Sequence, residues 1–213
     1  MTKALTPFSL KQLAGLAPLD CISSPRTALL LIDYQREYLD GALPLAEVAL
    51  AIAQASRLHQ LAVAAGIRII HIHHHAKSAS AALFAPGLAG AAPIAALAPA
   101  PGEACLIKHL PSSFAGTDLA ERLQQSGVYT LLIAGFMTHN CVDATARDAF
   151  HRGYRVAVIS DASATRDLPL PGGGIIAAAT VQQATLAALA DRMADVFAVA
   201  ELGALLGGKG GTD

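Results

Sequence analysis

The sequence predicts an α/β fold, a three-layer α/β/α sandwich around a central, mostly parallel sheet. Three observations point there. Short apolar runs alternate with longer Ala-rich helical segments, the repeat of a doubly wound sheet. The apolar runs are continuous rather than alternating, as in strands buried on both faces. The composition, 54% hydrophobic, 15% charged and 5% aromatic, suits small-residue helices packed closely on a sheet. At 213 residues the chain is long enough for one substantial domain. No repeat or linker divides it, so residues 1–213 read as a single domain, with an N-terminal extension over 1–24 and a flexible, Gly-rich tail over 206–213.

The elements follow in order. The extension is irregular, with room for one short helix. Ala28 to Asp33 is the first strand, an apolar run closed by a carboxylate. Ala46 to Ala65 is a helix with apolar positions at Val48, Ile52, Ala55, Leu58 and Ala62, and Gly66 stops it. Ile67 to His73 is the second strand. A long Ala/Pro/Gly-rich connection runs from His74 to Glu103, a length that in a compact domain often forms one wall of a pocket. Ala104 to Lys108 is a short third strand. A helix runs from Gly116 to Ser126 with Thr117 as N-cap, and Val128 to Ala134 is the fourth strand. Asn140 to Arg152 is a helix, and Tyr154 to Ser160 the fifth strand. A loop with Gly172-Gly173-Gly174 precedes a helix from Ile175 to Ala190, and Asp195 to Ala198 is the last strand. The three glycines lack the GxGxxG spacing of a phosphate cradle and read as a flexible loop.

Composition narrows the function. A net charge of −1 offers no basic face for nucleic acid or an anionic membrane. No apolar run reaches the length of a membrane span, and the start Met1-Thr2-Lys3 lacks a secretory signal. The three cysteines, Cys21, Cys105 and Cys141, are odd in number and form no CxxC pair. A disulfide framework or a cysteine zinc site is disfavoured, and a cytoplasmic setting is expected.

In open parallel sheets, sites form at the carboxyl ends of strands. Asp33 ends the first strand, Lys108 ends the third, and Cys141 follows the fourth across the turn Gly135-Phe136-Met137-Thr138-His139-Asn140. Taken singly, each has a plain reading as turn residue, surface charge or buried thiol. Together they place a carboxylate, an ammonium and a thiol on one sheet edge. A thiol at a helix N-terminus meets the positive end of the backbone dipole, and free N–H groups there can hold an oxyanion.

Three stretches carry a family resemblance: Ala28-Leu29-Leu30-Leu31-Ile32-Asp33-Tyr34-Gln35, Lys108 to Leu119 with its Pro111-Ser112-Ser113-Phe114 core, and Ala134 to Ala149 around Cys141. In these the chain resembles the isochorismatase-like cysteine hydrolases, the superfamily of nicotinamidases, N-carbamoylsarcosine amidohydrolases and ureidoacrylate amidohydrolases. The resemblance implies a triad of Asp33, Lys108 and Cys141. It implies a cis peptide between Phe136 and Met137, and an oxyanion hole of the Met137 and Cys141 N–H groups. The implied reaction is cofactor-independent hydrolysis of a C–N bond in a small amide, ureide or carbamoyl compound through a thioester. A Cys141 held as thiolate by Lys108 and the helix dipole would alkylate quickly at neutral pH. Two alternatives stand beside it. One is isochorismatase-type vinyl-ether hydrolysis, against which Cys141 argues because those relatives lack the nucleophile. The other is a non-catalytic or redox-sensing member of the fold.

Gln35, His73, His75, Phe114 and Phe136 are the expected substrate-binding residues, and Tyr34, Leu83 and Phe84 are further candidates for an apolar wall. His139 and Asn140 are expected to cap the helix. His71, His73 and His75 recur at strand spacing and could share a face. Nicotinamidases bind a metal near the triad with an aspartate and histidines, but no Asp or Glu lies in the second strand or in residues 76–102. No metal and no cofactor are therefore expected. The family resemblance and the Ala/Leu content imply a homo-oligomer, a dimer or tetramer.

Overall fold

A computed structural model describes residues 8–207. The strands are β1 (Thr27–Ile32), β2 (Arg68–His74), β3 (Ala104–Lys108), β4 (Thr130–Gly135), β5 (Arg155–Ile159), β6 (Leu168–Pro169), β7 (Ile175–Ile176) and β8 (Asp195–Phe197). The α-helices are α1 (Leu10–Leu13), α2 (Val48–Ala64), α3 (Leu119–Gln125), α4 (Asp143–His151), α5 (Ala178–Arg192) and α6 (Val199–Gly207). Six strands form one sheet in the order β3-β2-β1-β4-β5-β8, and every pairing in it is parallel.

Strand parity sorts the core into two layers. On one face Leu29, Leu31 and Ile69 pack with Ala51, Ala55, Leu58 and Ala62 of α2 and with Val199 and Leu202 of α6. On the other, Leu30, Ile32, Ile70, Ile72, Leu131 and Ile133 meet Leu119 and Leu123 of α3, Ala146 and Ala149 of α4, and Leu189 of α5. Both faces of β1 and β4 are thus covered, which is why their sequences are apolar throughout. The chain starts mid-sheet at β1, steps outward to β3, then returns beside β1 as β4. That reversal opens a crevice at the carboxyl ends of β1 and β4.

Several expectations shift. The extension is not loose within the described residues. α1 carries a capping box between Ser9 and Gln12, and the Leu19 N–H donates to the buried Asp195 carboxylate, which also pairs with Lys11 and Arg155. The Ile22 N–H bonds the Leu205 carbonyl of α6. That helix was not expected, and it makes residues 206–207 helical; the rest of the expected tail, 208–213, lies outside the described residues. Asp118 occupies the cap position without a side-chain cap bond, while the Thr117 hydroxyl, one residue earlier, accepts from the Leu119 N–H of α3 at 3.3 Å and donates to the Ser113 carbonyl. The glycine triplet forms the turn of the β6–β7 hairpin, where Gly173 and Gly174 hold φ of +93° and +89°. Among the described residues no helix is long and apolar enough to cross a membrane.

Candidate active site

The crevice at the β1/β4 reversal holds Asp33, Lys108 and Cys141. Asp33 follows β1 with φ of +55°, and its N–H donates to the Ile72 carbonyl at 2.7 Å. Its side chain is fully buried. Lys108 comes from the edge strand β3 but points inward, also fully buried. Cys141 lies in a wide π-type turn, Thr138–Val142, that runs directly into α4, a distortion often found at functional sites.

The Lys108 ammonium joins three partners. It lies 2.8 Å from Asp33 Oδ2, donates to Cys141 Sγ at 3.1 Å, and approaches His74 Nδ1 at 3.4 Å. The ion pair is close, and the Cys141 thiol also bears on the Asp33 carboxylate. Burial pushes the Asp33 carboxyl above its ordinary value, with Lys108 opposing. Burial works against the Lys108 charge, but Asp33 and Cys141 more than offset it and hold the amine above its usual range. Burial, and then the Asp33 charge, push the Cys141 thiol up to about 12. Burial and the neighbouring Asp33 charge thus work against a resting thiolate, and Lys108 works for it.

The turn that carries Cys141 is built by close backbone approach. Gly135 ends β4 with φ of +149°, and a Cβ there would lie 2.1 Å from the Ile32 carbonyl oxygen. Only glycine lets β4 pass so near β1. The Phe136–Met137 peptide is cis, as the family resemblance implied. The Thr138 N–H donates to Ala164 and the Gly135 N–H to Ser163 Oγ, both in the segment after β5. No acceptor for the Met137 N–H is found among the described residues. The segment after β3 is pinned to α4, where Thr145 Oγ1 accepts from the Ser113 N–H at 3.0 Å and Asp148 accepts from the Ser112 hydroxyl at 2.6 Å.

The expected substrate-binding residues are largely placed elsewhere. Gln35 has both amide ends taken up. Nε2 donates to the His74 and Ala91 carbonyls at 2.9 and 2.8 Å, and Oε1 accepts from the His74 N–H at 2.7 Å. It clamps the end of β2 to the long connection and has no free donor for a ligand. Phe114 stacks on Tyr154 under the Arg152 guanidinium, in the helix layer. Phe136 is fully buried among Tyr34 and Tyr38. His73 lies on the α2 face of the sheet, with Nδ1 at 3.5 Å from Cys105 Sγ. His75 lies beyond β2, and its carbonyl meets His109 Nδ1.

The histidine that reaches the triad is His74, which the sequence reading passed over. In the β2–β3 register it sits opposite Lys108. Parity was the available signal, because Ile70, Ile72 and His74 share the face that Leu106 and Lys108 occupy. Burial, with Lys108 next, lowers the His74 pKa to about 4, so the ring is neutral and Nδ1 can accept from the ammonium. His74 packs edge-on to Phe84, and Phe84 against Tyr38. Tyr38 is a second residue missed. Burial foremost, then the Asp33 and Cys141 charges, raise its phenol, and its ring packs edge-on to Phe136 in the turn that leads to Cys141. His139 bonds Thr165 Oγ1 through Nδ1 at 2.5 Å, in place of the expected helix cap. Arg166 completes this side. Its charge bears on both His139 and Tyr38, Nη1 donates to the Asp167 carbonyl, and its buried Nε has no partner.

The histidines do not converge as the spacing suggested. His71 and His73 share a face, His75 leaves it, and that face lies away from the triad. His71 instead meets His59 and Glu103, the one group of three possible metal ligands among the described residues.

A six-stranded parallel sheet with a buried carboxylate, ammonium and thiol at its topological reversal defines an isochorismatase-like hydrolase. Residues 27–201 match the isochorismatase domain, and the chain belongs to that family. Over 183 residues it is 37% identical to a secreted isochorismatase effector of Verticillium dahliae, spanning 86% of this chain and 93% of the relative. Over 151 residues it is 34% identical to maleamate amidohydrolase of Pseudomonas putida, 64% of this chain and 71% of that one. A crystal structure of an isochorismatase from Pseudomonas putida matches with a TM-score of 0.85 at 36% identity, over 92% of this chain and 99% of that one.

Proposed function

We propose that this protein is a cysteine amidohydrolase that cleaves the C–N bond of a small amide through a thioester on Cys141. The observation that carries this reading is the contact of one buried ammonium with both a carboxylate, at 2.8 Å, and a thiol, at 3.1 Å. As the Cys141 sulfur attacks the carbonyl carbon, its proton passes to Asp33, so no free thiolate need accumulate. The carbonyl oxygen becomes an oxyanion held by the Met137 and Cys141 N–H groups. Collapse expels the amine, which takes the proton from Asp33. Asp33 then deprotonates a water, which attacks the thioester, and the carboxylic acid leaves as the sulfur recovers its proton. Lys108 keeps Asp33 ionised and offsets the charge developing on sulfur.

The substrate carries an anionic group in this reading. Arg166, whose charge bears on Tyr38 and His139 and whose buried Nε has no partner, is the candidate cation, and one relative is named for maleamate. A reducing compartment fits an enzyme that must keep its thiol.

Ammonia release from a panel of small amides, ureides and carbamoyl compounds, neutral and carboxylated, tests the proposal. Turnover that disappears in Cys141→Ala is expected. Turnover retained in Cys141→Ala would remove the thioester mechanism.

A further inference from the structure

A second cluster lies outside the triad, on the α2 face of the sheet. His59 projects from α2, His71 from β2, and Glu103 sits one residue before β3. The Glu103 carboxylate bridges the rings, with His59 Nε2 at 2.6 Å from Oε1 and His71 Nε2 at 2.7 Å from Oε2. One nitrogen from each ring and one carboxylate oxygen all lie within 4.8 Å of one another. His71 is almost wholly buried, and the other two are mostly so.

We propose that His59, His71 and Glu103 form a binding site for a divalent cation of borderline character, zinc above all. Two imidazoles and a carboxylate are the donor set such ions take, with a fourth position left to solvent. Zinc–ligand bonds of ~2.1 Å at tetrahedral angles place donors roughly 3.4 Å apart. The two contacts to Glu103 are shorter than that, so the carboxylate must draw back by less than ~1 Å, which a side chain at a loop end can do. Each ring also has to free its Nε2. In the metal-bound form the ring proton sits on Nδ1, the tautomer that leaves Nε2 a lone pair for the ion.

The carboxylate is held in place for the task. Glu103 Oε2 accepts from the Ala100 N–H at 2.9 Å, and the Glu103 N–H returns a bond to the Ala100 carbonyl at 3.0 Å. Gly102 makes that turn possible with φ of +92°. Such outer hydrogen bonds orient ligating carboxylates. Glu103 also borders an open groove with Arg68 and Gly102, which gives an ion a way in. A bound ion would tie α2, β2 and the end of the long connection together, and so act on the wall of the active site from behind. The site owes nothing to the triad, and its test is independent of catalysis.

The experiment is equilibrium dialysis of tag-free, chelator-treated protein against zinc, with thermal unfolding as a second readout. It is run in Cys141→Ala, so that the triad thiol does not contribute. One ion per chain is expected, with a rise in Tm. Binding at least tenfold weaker, and no zinc-dependent rise in Tm, are expected when His59→Gln or Glu103→Gln is added. His59 is partly exposed on a long helix, so His59→Gln should keep the fold, and circular dichroism verifies it. No uptake would overturn the proposal. So would uptake unchanged in both variants, or variants that lower Tm equally with and without zinc, the mark of a plain hydrogen-bonded clasp.

Discussion

At the scale of the residue, the proposed chemistry turns on how three buried groups share two protons. Burial raises the Asp33 carboxyl, and Asp33 must be ionised to act as base. The rate should therefore climb with pH through a value above that of an ordinary aspartate. Lys108 is held above its usual range, so no descending limb is expected near neutrality. A pH profile of kcat/KM verifies this, and a fall between pH 7 and 9 would point to a different titrating group. Lys108→Met should abolish turnover and destabilise the fold by roughly 3–5 kcal/mol, because it strands a buried carboxylate. Denaturant titration measures it. The sign follows from the shift. An amine raised in the folded state contributes stability that is full below its ordinary pKa and lost as pH climbs through the folded value. Asp33, Lys108 and Cys141 were legible because each ends or follows an apolar strand, where a polar group needs a reason to be. His74 and Tyr38 were not. Their roles depend on strand parity across two chain-distant elements and on a short turn at Arg36–Tyr38.

At the scale of the element, the site depends on how closely β4 can approach β1. The Gly135 Cβ position coincides with the Ile32 carbonyl, and no side-chain rotation relieves a clash with backbone. Gly135→Ala should cost about 4 kcal/mol or more, at the severe end of single substitutions, and should displace the Cys141 turn. Loss of soluble protein, or a large fall in Tm together with loss of activity, is the expected result. The strands and the long helices were legible from continuous apolar runs and 3.6-residue spacing. α6 was not, because Val199–Gly207 is short and broken by Gly203, and its helix gains its reason only from the packing of Val199 and Leu202 against α2. Glu103 escaped notice as a histidine partner because it is the last residue of the long connection, beyond the stretch 76–102 that was searched for acidic ligands. Proximity to His59 and His71 comes from folding, since these residues are 44 and 32 positions away in sequence.

At the scale of the whole molecule, sheet order determines where chemistry can occur. The reversal between β1 and β4 creates one crevice, and the chain delivers a carboxylate, an ammonium and a thiol to it from three strands. The three groups were legible from alternation and strand-end polarity; the strand order that brings them together was not. In the proposed reading substrate choice belongs to the segments after β2 and β5, whose paths no periodicity encodes. Arg166 in the latter is the clearest indication. Arg166→Gln should raise KM for carboxylated amides by at least tenfold while leaving neutral amides nearly unchanged, a split that steady-state kinetics on matched substrates would reveal. The most direct measurement is the mass of the protein after acid quench during turnover of an active amide, with peptide mapping. An acyl group on Cys141, absent in Cys141→Ala and removed on longer incubation, is the expected result. Steady turnover with no adduct on Cys141 under single-turnover conditions, or an adduct on another residue, would contradict the thioester mechanism.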